Sequence, residues 1–219
     1  MSVFHTPSRH IARQLVIVSS LLIISTGNAL AFSEPQFQSA FQQFMQPSGQ
    51  GAEEHAATAF KDLLKQEPAN PLLMVYAGAA TSKLAATTMF PWKKMSYAEE
   101  GLAMIDKALQ LSAASTGAQT HGATPVALEV QFVASTTFLA VPGFMHRADR
   151  GSALLNGVLT DKDFDHAALP FRGAVWMHAA RLALQQQRKD EARRLLNQVI
   201  QHQAPQAAAA SDMLKGLAS

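Results

Sequence analysis

The chain has 219 residues, with 18 Lys and Arg, 16 Asp and Glu, and no cysteine. Charge this close to balance excludes the strongly basic surface that a nucleic-acid partner requires. The missing cysteines exclude a disulfide framework, so stability has to come from packing.

The first 31 residues read as a secretory leader. Arg9 and Arg13 precede an apolar run from Leu15 to Ile24 that only Ser19 and Ser20 interrupt, and Ala29-Leu30-Ala31 supplies the small-x-small cleavage pattern. The run is shorter than the roughly 20 apolar residues that span a bilayer. Cleavage after Ala31 is therefore expected, with a mature start at Phe32; a retained membrane anchor is the alternative. Loss of Arg9 and Arg13 leaves 16 basic residues against 16 acidic ones. With no cysteine at the cut, a lipid-anchored lipoprotein is excluded. The expected location is the periplasm of a bacterium, and residues 32–219 suffice for one domain.

Helical periodicity runs through the rest. Phe37, Phe41 and Phe44 fall on one face of a helix from Glu34 to Met45. Pro47 to Gly51 breaks it, and Ala52 to Gln66 carries Ala56, Ala59, Phe60, Leu63 and Leu64 on one side. Pro71 opens a third helix, rich in small residues, that runs to about Ala86. Thr87 to Met95 then reads as an inserted loop, after which Ser96 and Glu99 suggest a capping box for a helix from Tyr97 to Ala113. Ser115 to Thr124 reads as a loop. Further helices are expected over Pro125–Ala140, Met145–Leu159, Phe171–Gln187, Lys189–His202 and Pro205–Leu217. No stretch shows the sustained alternation of a strand.

These elements pair in a recurring way. Trp176, Ala179, Ala180 and Ala183 precede Ala192, Leu196 and Val199, with Pro205 closing the unit. Ala56, Phe60, Leu63 and Pro68 repeat the second half of that phrase, and Met74, Ala77, Gly78 and Thr81 lead to Gly101, Ile105 and Ala108. In this the chain resembles the tetratricopeptide repeat proteins, whose unit of about 34 residues is an antiparallel helix pair. The stretch between Thr81 and Gly101 is about eleven residues longer than that period allows. The resemblance implies an all-α stack of antiparallel helix hairpins whose first helices line a concave surface. Leu72, Val75, Ala79, Ser82 and Lys83 would face it from one helix, and Ala174, Met177, Arg181, Leu184 and Gln185 from another. Such a lining suits a peptide or helix ligand.

Phe90-Pro91-Trp92-Lys93-Lys94-Met95 is the most conspicuous local feature. It reads either as a partner or membrane-contact element, with Phe90, Trp92, Lys93 and Lys94 carrying the contact, or as a cap on the core. Val141 to Arg147 is a second apolar segment followed by basic residues, and it would form one patch with the first or serve as an ordinary turn. Asp161, Asp163 and Asp165 alternate as in a calcium loop, yet His166 and Arg172 stand where that loop needs Gly and Glu. The histidines lack metal spacing, and no nucleophile elbow, P-loop or dinucleotide fingerprint occurs. Paired acids such as Glu53-Glu54 and Asp190-Glu191 sit at helix starts, where they complement the dipole. The expectation is a non-catalytic, cofactor-free adaptor of the cell envelope that engages another envelope protein or peptide segment, with possible peripheral membrane contact. A helical protein that holds a small molecule or lipid is the alternative.

Overall fold

The computed structural model describes residues 32–46, 51–115 and 119–218. The expected leader and its cleavage site lie outside the described residues.

The architecture is all-α. In chain order the helices are α1 (Glu34–Met45), α2 (Ala52–Gln66), α3 (Pro71–Thr87), α4 (Pro91–Ala114), α5 (Val126–Ala140), α6 (Ala148–Thr160), α7 (Leu169–Gln185), α8 (Lys189–Gln201) and α9 (Ala207–Ala218). Two-residue strands β1 (Thr120–His121) and β2 (Thr124–Pro125) pair antiparallel before α5, with Thr120 opposite Pro125. This small ladder replaces the irregular loop expected there. Gly122, at φ 58, makes its turn.

Helix α3 is the axis of the first half. Asn70 starts it: its Oδ1 accepts from the amides of Leu72 at 2.9 Å and Leu73 at 3.2 Å, while Pro71 occupies the first helical position. Thirteen of its seventeen residues are buried, so neighbours sheathe it on every side. Small residues allow this. A Cβ on Gly78 would lie 2.7 Å from the Gly101 carbonyl oxygen, and one on Gly101 would lie 2.6 Å from the Ser82 amide. The α3 and α4 backbones thus touch at a glycine crossing, where Gly78 meets Ile105 and Gly101 meets Ser82. Those pairs run in opposite directions along the chain, so α3 and α4 form an antiparallel hairpin.

Two further hairpins follow the same logic. In α5–α6, Ser135 donates to the Gly151 carbonyl at 2.8 Å, and a Cβ on Gly151 would press on Phe138 and Leu139. In α7–α8, Trp176 stacks on His202 at 5.0 Å, while Gln187, at φ 61, makes the tight turn between the helices. Trp176, Ala179, Ala180, Ala183, Ala192, Leu196 and Val199 are all buried, as a hairpin reading of these helices expects. The core has two clusters. One holds α1 to α4 and part of α5; the other holds Leu128, α6 to α8 and Ala210. Helix α5 belongs to both and joins them.

Several boundaries differ from the sequence reading; α7, for one, runs Leu169–Gln185 where Phe171–Gln187 was expected. Helix α4 begins at Pro91, so Ser96 lies inside it and caps nothing; Pro91 presets the helical φ, and the backbone amides of Lys93 and Lys94 donate to the Phe90 carbonyl at 3.0 and 3.2 Å. The inserted loop is therefore mostly the first turn of α4. Helix α6 begins at Ala148, because His146 takes a left-handed φ of 52 after the 3-10 turn Gly143–Met145. Helix α9 begins two residues past Pro205.

A polar relay ties α1, the β-turn, α3 and α5 together. Glu129, buried on α5, accepts from the Tyr76 hydroxyl at 2.7 Å and meets His121 Nδ1 at 2.9 Å. His121 Nε2 lies 3.2 Å from Glu34. Burial alone would lower the His121 pKa, but the Glu129 and Glu34 carboxylates outweigh it and hold the imidazole above 6.5. Burial, with the Glu129 charge behind it, pushes the Tyr76 phenol well above 10, so it stays a donor.

Two outcomes follow for stability. Replacing Gly101 with Ala should cost about 2 kcal/mol in urea unfolding, although Ala favours an exposed helix, because the added methyl forces the crossing apart. His121 has a raised folded pKa, so its contribution is complete below 6.5 and is lost as pH rises through the raised value. Unfolding midpoints measured from pH 6 to 9 should thus show wild-type protein losing its margin over His121→Gln as pH rises.

Candidate functional site

The register of the α3–α4 hairpin creates the site. With Gly78 level with Ile105 and Ser82 level with Gly101, the same spacing sets Thr87 level with Ser96. Pro91 to Met95 therefore project past the end of α3. Their apolar side chains have no α3 residues to cover them, and a cleft opens beside the overhang.

That cleft has a volume of about 680 Å³. Its floor is the second half of α3, with Ala79, Ser82, Lys83 and Ala86. Pro91, Lys94, Met95 and Ala98 of α4 form one wall, and Thr136, Thr137 and Ala140 of α5 face them. Phe44 and Met45 at the end of α1, Val141, Pro142, Phe144 and Met145 after α5, and His178 close the rim. The two apolar segments of the sequence, around Trp92 and around Phe144, thus border one cleft.

Its electrostatics are one-sided. No Asp or Glu lines it, whereas Lys83 and Lys94 do. Lys83 donates to the Phe44 carbonyl at 2.8 Å and lies over the Phe44 ring at 5.1 Å. Lys94 makes no ion pair among the described residues. Arg147, expected to add positive charge here, is neutralised: it pairs with Asp106 at 3.0 Å, and Arg150 pairs with the same carboxylate. Both guanidinium groups lie over the Phe138 ring, which clamps the 141–147 turn against α4. His178 packs on Phe132 at 5.3 Å. Its partly apolar setting, with the Arg181 charge second, lowers its pKa. The ring keeps solvent on one side, which limits the depression, and it is neutral at neutral pH.

The expected contact residues scatter differently than the resemblance implied. Leu72 and Val75 are fully buried in the first core cluster and line no groove. Their helix is sheathed rather than one-sided, so only its second half, from Ala79 onward, reaches the cleft. Met177 is buried in the second cluster. Arg181 and Gln185 are exposed on α7 and lie away from the cleft; His178 is the α7 residue that reaches it. Lys83 and Lys94 line the cleft. Phe90, Trp92 and Lys93 are exposed on the neighbouring corner, and Trp92 is 70% exposed. That exposure overturns the reading of this segment as a cap on the core. Phe44, Met45, Thr136, Thr137 and Ala140 were missed. Phe44 looked like a core residue because it shares the spacing of Phe37 and Phe41.

The acidic segment is a turn. Asp161 Oδ1 accepts the Asp163 amide at 2.9 Å, and Phe164 is buried edge-on to Trp176 at 5.7 Å. Among the described residues no three metal-capable side chains converge, and no helix is long and apolar enough to cross a membrane.

The geometry defines an all-α helix-hairpin protein with a lysine-edged apolar cleft. Comparison with known proteins gives no match to a family model, a curated protein or a solved structure.

An anionic naphthalene dye that fluoresces in apolar surroundings should bind the native protein in this cleft. Ala140→Trp, which fills the cleft from an exposed position on α5, should weaken binding at least about tenfold, the loss expected when an aromatic contact worth about 1.4 kcal/mol is blocked, with an unchanged melting temperature.

Proposed function

We propose that the chain is a non-catalytic adaptor of the bacterial cell envelope, a divergent member of the tetratricopeptide-like class, exported by its leader. The cleft is its working surface, and it receives an apolar segment of another envelope protein whose flanks are acidic. The observation that carries this reading is the cleft itself: about 680 Å³, bordered by the exposed side chains of Met45, Met95 and Phe144, with Lys83 and Lys94 but no carboxylate. Contiguous exposed apolar surface of this kind is costly in water and marks an interaction site. Met side chains adapt to irregular partners, and the lysines select against a basic segment.

A second reading has its own support. A cleft of this volume is also the size of a small-molecule site, so a bound amphiphile with an anionic head would fit the same chemistry.

Affinity capture from envelope extract distinguishes them. The adaptor reading expects a defined protein retained by the native chain, lost with Ala140→Trp and weakened with Lys94→Glu. Native mass spectrometry that finds a small ligand released from the cleft, with no protein lost on either substitution, favours the second reading.

A further inference from the structure

The overhanging turn of α4 has two faces. Pro91, Lys94 and Met95 line the cleft. Trp92 and Lys93 do not, and with Met89 and Phe90 they form a separate, outward corner. Its aromatic and lysine side chains contact one another. Phe90 and Trp92 rings are 5.1 Å apart, and the Lys93 ammonium lies over the Phe90 ring at 5.1 Å. Met89 is 87% exposed and Trp92 70%, the two most exposed large apolar side chains described. The first turn of α4 carries Lys93 and Lys94 and no acid; the first acid on this helix is Glu99, two turns further in.

We propose that this corner, formed by Met89, Phe90, Trp92 and Lys93, is an anchor that seats on an anionic lipid surface. It projects rather than recedes, so it can enter an interface but cannot enclose a ligand. Trp is the side chain best suited to the headgroup region, with an apolar body and one N–H donor. Lys93 can lay its stem along the Phe90 face while its ammonium reaches phosphate. Unpaired lysines beside the aromatic pair supply the charge complementarity, since each lysine near an anionic leaflet adds to attraction. The two sites are compatible: a protein held at a membrane by this corner presents the adjoining cleft to partners at the same surface.

Trp92 reports the event directly. The chain has two tryptophans, and Trp176 is 5% exposed within the second core cluster. The full chain, as the cell produces it, is mixed with vesicles of phosphatidylglycerol and phosphatidylcholine, or of phosphatidylcholine alone, with acyl chains brominated near the headgroup. Because the signal arises at Trp92, attachment through another part of the chain does not produce it. The expected result is a blue shift and bromine quenching on the anionic vesicles only. Both should be absent in Trp92→Phe, and each lysine replaced in Lys93→Gln and Lys94→Gln should weaken binding roughly fivefold. Emission unchanged on anionic vesicles, equal quenching on neutral ones, or indifference to the lysines overturns the proposal. So does a shift that needs lipid-free envelope protein instead of vesicles.

Discussion

Everything in the first half of the molecule depends on two glycines. Gly78 and Gly101 bring the α3 and α4 backbones into direct contact, and no other residue fits at either position without moving a helix. Close approach fixes register as well as distance, because only one axial setting puts both glycines in contact with the opposite backbone. That register levels Thr87 with Ser96 and leaves the start of α4 overhanging. The overhang exposes Trp92 and Met95 and opens the cleft. One packing constraint thus produces both the site and its apolar character.

Helix α5 carries the constraint to the rest of the molecule. It lies in both core clusters, and the Tyr76–Glu129–His121–Glu34 relay holds it to α3 and α1. A buried carboxylate is tolerated here because a phenol and an imidazole satisfy it. The far end of α5 forms the opposite wall of the cleft, and Asp106 clamps the following turn through Arg147 and Arg150. Both walls therefore stand on elements that are fixed elsewhere. A preformed apolar cleft binds without the cost of ordering its own walls, which suits the recruiting role proposed for it.

The sequence showed the helices and their pairing because amphipathic spacing survives in α2 and α8. It could not show which face of α3 meets solvent. Thirteen buried residues leave no polar side to read, so Leu72 and Val75 looked as eligible for a groove as Ala79 and Lys83. Ser96 and Glu99 imitate a capping box, but Pro91 had already started the helix; the local signal was real and tertiary context overrode it. The cleft was half legible. Two apolar segments without periodic partners announced themselves around Trp92 and Phe144, yet their meeting depends on the α3–α4 register, which spacing alone does not carry. The relay was invisible, since Glu129, the one charged residue of α5, lies 53 residues from Tyr76.

The most direct test of this account measures the cleft. The chain has no cysteine, so spin labels on Met95→Cys and Phe144→Cys are its only thiol adducts, and pulsed electron resonance reads the distance across the cleft from the α4 wall to the rim. A single short, narrow distance that broadens when Gly101→Val is added is the result predicted by walls set by the glycine crossing. A broad or long distribution in the parent, or a narrow one that ignores Gly101→Val, contradicts it.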